Sequence, residues 1–136
     1  MMKLWSLLGR SKRDRMEYHS FASVESKTIP GVRFTILRMS FGRRMELMRR
    51  IRELARRIEF LSASQDPKEQ MDAALAAGEV DKVYLLWGLQ EVSGLELDGL
   101  PATPELLAES GPESLFREAL SAVKAECGLS DEERKN

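Results

Sequence analysis

Two apolar seams with the same rhythm constrain this chain more than any other feature. Leu47, Ile51, Leu54, Ile58 and Leu61 recur at steps of four and three residues, and Ala73, Ala77, Val80, Tyr84 and Trp87 repeat that pattern downstream. Such steps line up side chains along one face of an α-helix, whose turn takes about 3.6 residues. Ser40 stands where the first helix needs an N-cap. Between the seams lie Ser62-Ala63-Ser64-Gln65 and then Asp66-Pro67-Lys68-Glu69. The latter is a strong helix start: an acidic N-cap, Pro at the first helical position and Glu at the third. Two long amphipathic helices across so short a loop predict an antiparallel hairpin, its second arm reaching to about Trp87.

The flanks of the hairpin carry weaker signals. Pro30-Gly31 breaks the chain, and Val32, Phe34 and Ile36 then alternate with Arg33, Thr35 and Leu37, the period of a half-buried strand. Beyond Gly88 and Gly94, Leu95 and Leu97 alternate with Glu96 and Asp98 before an Asp98-Gly99 turn. This short strand is expected to pair with residues 32–37. Thr103-Pro104-Glu105 opens a short helix that Gly111 closes. Pro112-Glu113 opens another, with Phe116, Leu120, Val123 and Cys127 on one face and Gly128 as its stop. Ser130-Asp131-Glu132-Glu133 reads as a last capping box. The fold class is therefore mainly α: one helical domain over residues 29–136, with a long antiparallel helix pair and a short two-stranded β element. Residues 1–28 read as a basic, mobile tail.

Composition limits the functional classes. At 136 residues, 43% hydrophobic and 32% charged, the chain suits one folded domain rather than a disordered one. Met1-Met2-Lys3-Leu4-Trp5-Ser6-Leu7-Leu8 starts like a signal peptide, but the apolar run is short. Arg10, Lys12 and Arg13 follow where a cleavage site would be. No stretch approaches the ~20 apolar residues of a membrane span. His19 and Cys127 are the single histidine and cysteine, which leaves little material for a zinc site or a Cys-His catalytic pair. Cys127 reads as a packed thiol and His19 as solvated. Glu96 and Asp98 suggest an acid/base pair, yet no third group nearby in sequence would position them. The sequence calls for no cofactor and no metal, and an enzyme is the least supported class.

Charge is divided unevenly. Residues 1–65 hold 15 Lys/Arg against 6 Asp/Glu, whereas residues 66–136 hold 6 against 16. Much of the surplus lies on the first long helix, as Arg43, Arg44, Arg49, Arg50, Arg52, Arg56 and Arg57. Arginines of this density can serve nucleic acid, which is the second functional reading. They surround the helix instead of forming one stripe, and neither a Gly-rich phosphate loop nor stacking aromatics accompany them. The first reading of the split is internal complementarity, with acids of the C-terminal elements packed against this helix. A surplus Arg face would then orient a protein partner. Met39, Met45 and Met48 cluster where strand gives way to helix; their helical spacing reads first as ordinary core, although methionine also suits adaptable grooves. The residues picked for partner contact are Met45, Met48, Arg49, Arg52, Arg56 and Trp87.

The order of elements resembles a known family. The strand Val32-Arg33-Phe34-Thr35-Ile36 runs into Met39-Ser40-Phe41-Gly42-Arg43-Arg44-Met45-Glu46-Leu47, and the second helix ends in Tyr84-Leu85-Leu86-Trp87-Gly88-Leu89. Gly94-Leu95-Glu96-Leu97-Asp98-Gly99, Pro101-Ala102-Thr103-Pro104-Glu105, Gly111-Pro112-Glu113 and a Glu132-Glu133-Arg134-Lys135-Asn136 ending complete the pattern. Over residues 29–136 it resembles the small tail assembly chaperones of long-tailed bacteriophages and prophages. The resemblance implies a non-catalytic protein of the bacterial cytoplasm. Such a protein binds the tape measure protein, assists tail tube assembly with the tail tube protein, and is absent from the mature virion. It also motivates the hypothesis of a frameshifted longer product that would continue the helix begun at Ser130. The family supplies no residue-level motif for the interface, so the contact residues above come from the side chains alone.

Overall fold

The computed structural model describes residues 15–128 of the chain. The two seams become two 22-residue helices, α1 (Phe41–Ser62) and α2 (Pro67–Gly88). Both start where the side chains direct. The Ser40 hydroxyl accepts the Arg43 N–H at 3.2 Å, and the Asp66 carboxylate accepts the Lys68 N–H at 3.0 Å. Each contact satisfies a donor that the first helical turn leaves without a partner. Two shorter helices follow: α3 (Pro104–Ser110), capped by Thr103, and α4 (Glu113–Glu126).

Strand β2 (Arg33–Leu37) carries the predicted alternation, with Phe34 and Ile36 buried and Arg33 exposed. Its neighbours differ from the expectation. On one side it pairs antiparallel with β1 (Phe21–Glu25), which lies inside the expected tail. That edge strand is mostly exposed, so no apolar alternation marks it in the sequence. On the other side β2 pairs with β3 (Leu89–Ser93), giving the order β1-β2-β3. The segment expected to fill that place, residues 95–98, instead forms a hairpin of its own. There β4 (Glu96–Leu97) pairs with β5 (Leu100–Pro101) around a turn in which Asp98 and Gly99 have φ of 53° and 82°. The β component is thus a three-stranded sheet plus a small hairpin, larger than the two strands read from sequence.

The core lies between the sheet, the C-terminal half of α2, and α3 and α4. Val32, Phe34 and Ile36 meet Leu85, Trp87, Leu89, Val92, Leu107, Leu115, Leu120 and Val123. Gly88 lets α2 approach α4 closely, since a methyl there would strike a Val123 methyl. From α1 only Leu47 is fully buried in this core, with Ile51 packed at its margin. Farther along the hairpin, Leu54, Ile58 and Leu61 are half-buried and lean on α2, where Ala73 and Ala76 are buried. Ala76 replaces the expected Ala77, which is exposed. Two adjacent alanines carry the same apolar signal, so the sequence could not choose between them. The distal hairpin is therefore an arm held by its own seam, and its outer faces have no cover among the described residues.

Candidate functional site

The arm leaves large apolar side chains in solvent. Phe41, Met48 and Phe60 on α1 are 80%, 53% and 75% exposed, and Met71 and Leu75 on α2 are 67% and 63% exposed. Large apolar side chains left exposed on one face of a helix mark a contact surface more often than residues scattered over the whole surface do. On α1, Met48 lines a groove of about 490 Å3 together with Met45, Arg49, Ile51, Arg52, Ala55, Arg56 and Glu59, whereas Phe41 and Phe60 lie outside that lining. Met45, Met48, Arg52, Ala55 and Glu59 follow one another by three or four residues. They therefore form a line along the helix, with Arg49 and Arg56 on one edge and Ile51 on the other.

Five of the six residues picked from sequence meet in this groove: Met45, Met48, Arg49, Arg52 and Arg56. Trp87 does not. It is only 5% exposed and packs in the core, touching solvent along a separate cleft with Phe21, Leu37 and Leu86. Its place as the last seam residue of α2 explains this, because that end of the helix faces the sheet. Sequence reasoning passed over Ile51, Ala55 and Glu59 as groove residues. Steps of three and four taken outward from Met48, rather than from Leu47, would have found the line.

The electrostatics of α1 differ from the expected internal complementarity. Arg50 pairs with Glu46 at 3.1 Å and Arg56 with Glu53 at 3.5 Å, both within the helix. Arg44 donates to the Cys127 carbonyl oxygen at the end of α4 at 3.4 Å. Among the described residues, no ion pair joins an α1 arginine to a carboxylate of another element, and Arg49, Arg52 and Arg57 have no hydrogen-bonded or ionic partner. The acids of the second half serve their own neighbourhood. Asp81 on α2 takes Arg117 at 3.0 Å and Lys124 at 3.2 Å from α4, and Glu109 takes Lys82. Lys124 also lies over the Tyr84 ring, 5.1 Å from its centroid.

Other polar groups have structural roles. Glu118 on α4 accepts the Ser26 hydroxyl at 2.7 Å and the Lys27 N–H at 2.6 Å, and so fastens the β1–β2 turn to the helix. Partial burial raises its pKa, but these hydrogen bonds outweigh it and hold the carboxyl below its usual range. Cys127 is buried, which pushes its thiol pKa up against the pull of Arg44. Glu96 and Asp98 are exposed on the small hairpin, and His19 is exposed beside Glu17. Among the described residues, no group of three His, Cys, Asp or Glu side chains is placed to hold a metal ion, and no helix is long and apolar enough to cross a membrane. No family model, curated protein or solved structure matches the chain.

Proposed function

We propose that this chain is a non-catalytic tail assembly chaperone of the long-tailed phage type, which binds the tape measure protein through its helical arm. The observation that carries the reading is an α1 face left uncovered by the described residues, where an apolar floor lies beside Arg49 and Arg52, which have no partner among those residues. A tape measure protein is a long amphipathic helix whose apolar stripe aggregates unless it is covered. An exposed helical face of matching character can cover such a stripe by helix packing. The arginines would set orientation and speed of encounter more than final affinity. On this reading the protein acts in the bacterial cytoplasm, helps bring tail tube protein to the coated tape measure protein, and leaves before the particle is complete.

The test begins with the neighbouring genes: a tail tube gene upstream and a gene for a very long helical protein downstream. Co-expression of that long protein with the chain should keep it soluble and yield a complex of the two. Particles purified from the same host should lack the chain. A neighbourhood without either gene, or a long protein equally soluble with and without the chain, would overturn the proposal. Arg49, Arg52 and Arg57 also keep a nucleic-acid reading in play. That reading predicts a gel shift that fades steeply as salt rises.

A further inference from the structure

We infer that the α1 groove is a docking site for one class of partner: an amphipathic helix of another protein with two apolar side chains one turn apart and carboxylates beside them. The inference deepens the chaperone reading by giving its site and the chemistry of its ligand. It does not depend on the partner being a tape measure protein.

The length and direction of the groove favour a helix. Its lining runs from Met45 to Glu59, a rise of about 21 Å at the usual 1.5 Å per residue. The line follows the three- and four-residue ridges of α1, into which the ridges of a second helix fit. Met45 and Met48 lie one turn apart at one end, with Ile51 and Ala55 continuing the apolar floor. Methionine adjusts its shape to an incoming side chain, so this end suits apolar anchors of varied type. Phe41, 80% exposed and one turn before Met45, extends the same apolar line.

Charge selects the flanks of the ligand. Arg49 and Arg52 have no partner among the described residues, and Arg56 has only an exposed contact to Glu53 at 3.5 Å. Guanidinium groups take carboxylates in paired hydrogen bonds, and these three are spaced to meet carboxylates one turn apart along a facing helix. A polyphosphate chain is a poorer fit. It would leave the methionine floor without apolar contact, and Glu59 in the lining would repel it. A basic helix would meet three like charges.

The experiment uses the full chain and two labelled synthetic helical peptides with the same apolar stripe, one flanked by Glu and one by Lys. Fluorescence anisotropy should show the Glu peptide binding at least about tenfold more tightly than the Lys peptide. Met48→Lys, and separately the pair Arg49→Glu with Arg52→Glu, should each weaken the Glu peptide about tenfold or more. The Arg pair variant should gain affinity for the Lys peptide. Met71→Lys, a change at a more exposed methionine on α2, should alter neither, and circular dichroism should show all variants folded. Equal binding of the two peptides would overturn the inference. So would heparin competing just as well against the Met48→Lys variant, which would make the face a polyanion site. Binding that appears only after Asp131, Glu132 and Glu133 are changed to Lys would make the chain's own acidic segment the occupant. A dimer in sedimentation that the Arg pair variant dissolves would make it a second copy. Because no phage protein is used, peptide binding can succeed while the chaperone reading fails, and the reverse.

Discussion

At the scale of single residues, the most consequential contact is one no motif announced. Glu118 holds the turn after β1 through Ser26 and Lys27, and Ser26 in turn accepts the Thr28 and Ile29 N–H groups at 3.0 Å each. Ser26 is 5% exposed, so removing the charge leaves a hydroxyl and a backbone donor with a weaker acceptor. Glu118→Gln should cost about 2 kcal/mol in urea unfolding at neutral pH, the scale of charge-assisted hydrogen bonds. The sign with pH follows from the depressed pKa. The unfolded chain takes up the proton first, so this stabilisation is complete above the ordinary glutamate pKa of about 4.3 and fades as pH falls through the lower folded value. The gap between wild type and Glu118→Gln should therefore narrow below that pH; a gap that stays constant would mean the carboxylate charge is not what holds the turn. Gly94 makes a second prediction. Its φ is +79°, and a methyl on it would strike the Gly31 carbonyl oxygen, a backbone atom with little room to move. Gly94→Ala should thus lower stability by about 2 kcal/mol or more, readable as a lower thermal midpoint.

At the scale of elements, legibility followed the strength of the period. The seams of α1 and α2 run for four turns each, and their caps use side chains that hydrogen-bond locally, so both helices were plain in the sequence. Val32, Phe34 and Ile36 marked β2 for the same reason, since every second side chain goes to the core. The signal failed where burial did not alternate. β1 is an exposed edge, and in β3 an irregular register near Leu89 breaks the repeat, leaving Leu89 and Val92 buried with two exposed residues between them. The groove was half legible. Met45, Met48 and the arginines stood out by type, whereas Trp87, at the end of a seam where a large aromatic more often packs inward than anchors a partner, packs in the core. The arm gives the element-scale prediction. Leu47→Ala removes a side chain 3% exposed and should cost about 3 kcal/mol, whereas Leu54→Ala or Ile58→Ala, half-buried in the arm, should cost about half as much. Amide exchange should likewise be faster from Leu54 through Ala73 than in the core half of α2. Uniform protection along the hairpin would contradict an arm held only by its own seam.

At the scale of the whole molecule, the split of charge acquires a different meaning from the one its count suggested. If the acids of the second half neutralised α1, salt would weaken the fold. Among the described residues, Lys82–Glu109, Arg117–Asp81 and Lys124–Asp81 instead join α2 to α3 and α4, while the ion pairs of α1 stay within the helix. Arg49, Arg52 and Arg56 stand three and four residues apart, where like charges repel along a helix by a few tenths of a kcal/mol each. The Lys82–Glu109 pair is exposed and contributes little, and the two pairs that share the part-buried Asp81 are screened less by salt. Screening therefore relieves more repulsion on α1 than it removes attraction elsewhere. Raising salt from about 0.05 M to 0.5 M, which shortens the screening length severalfold, should leave the thermal midpoint unchanged or slightly higher. Over the same range, binding of a Glu-flanked helix to the α1 groove should weaken clearly, because those contacts are the ones exposed arginines make. A fall in the midpoint with salt, and binding that does not change, would return the arginines to the fold and leave the groove without its electrostatic role.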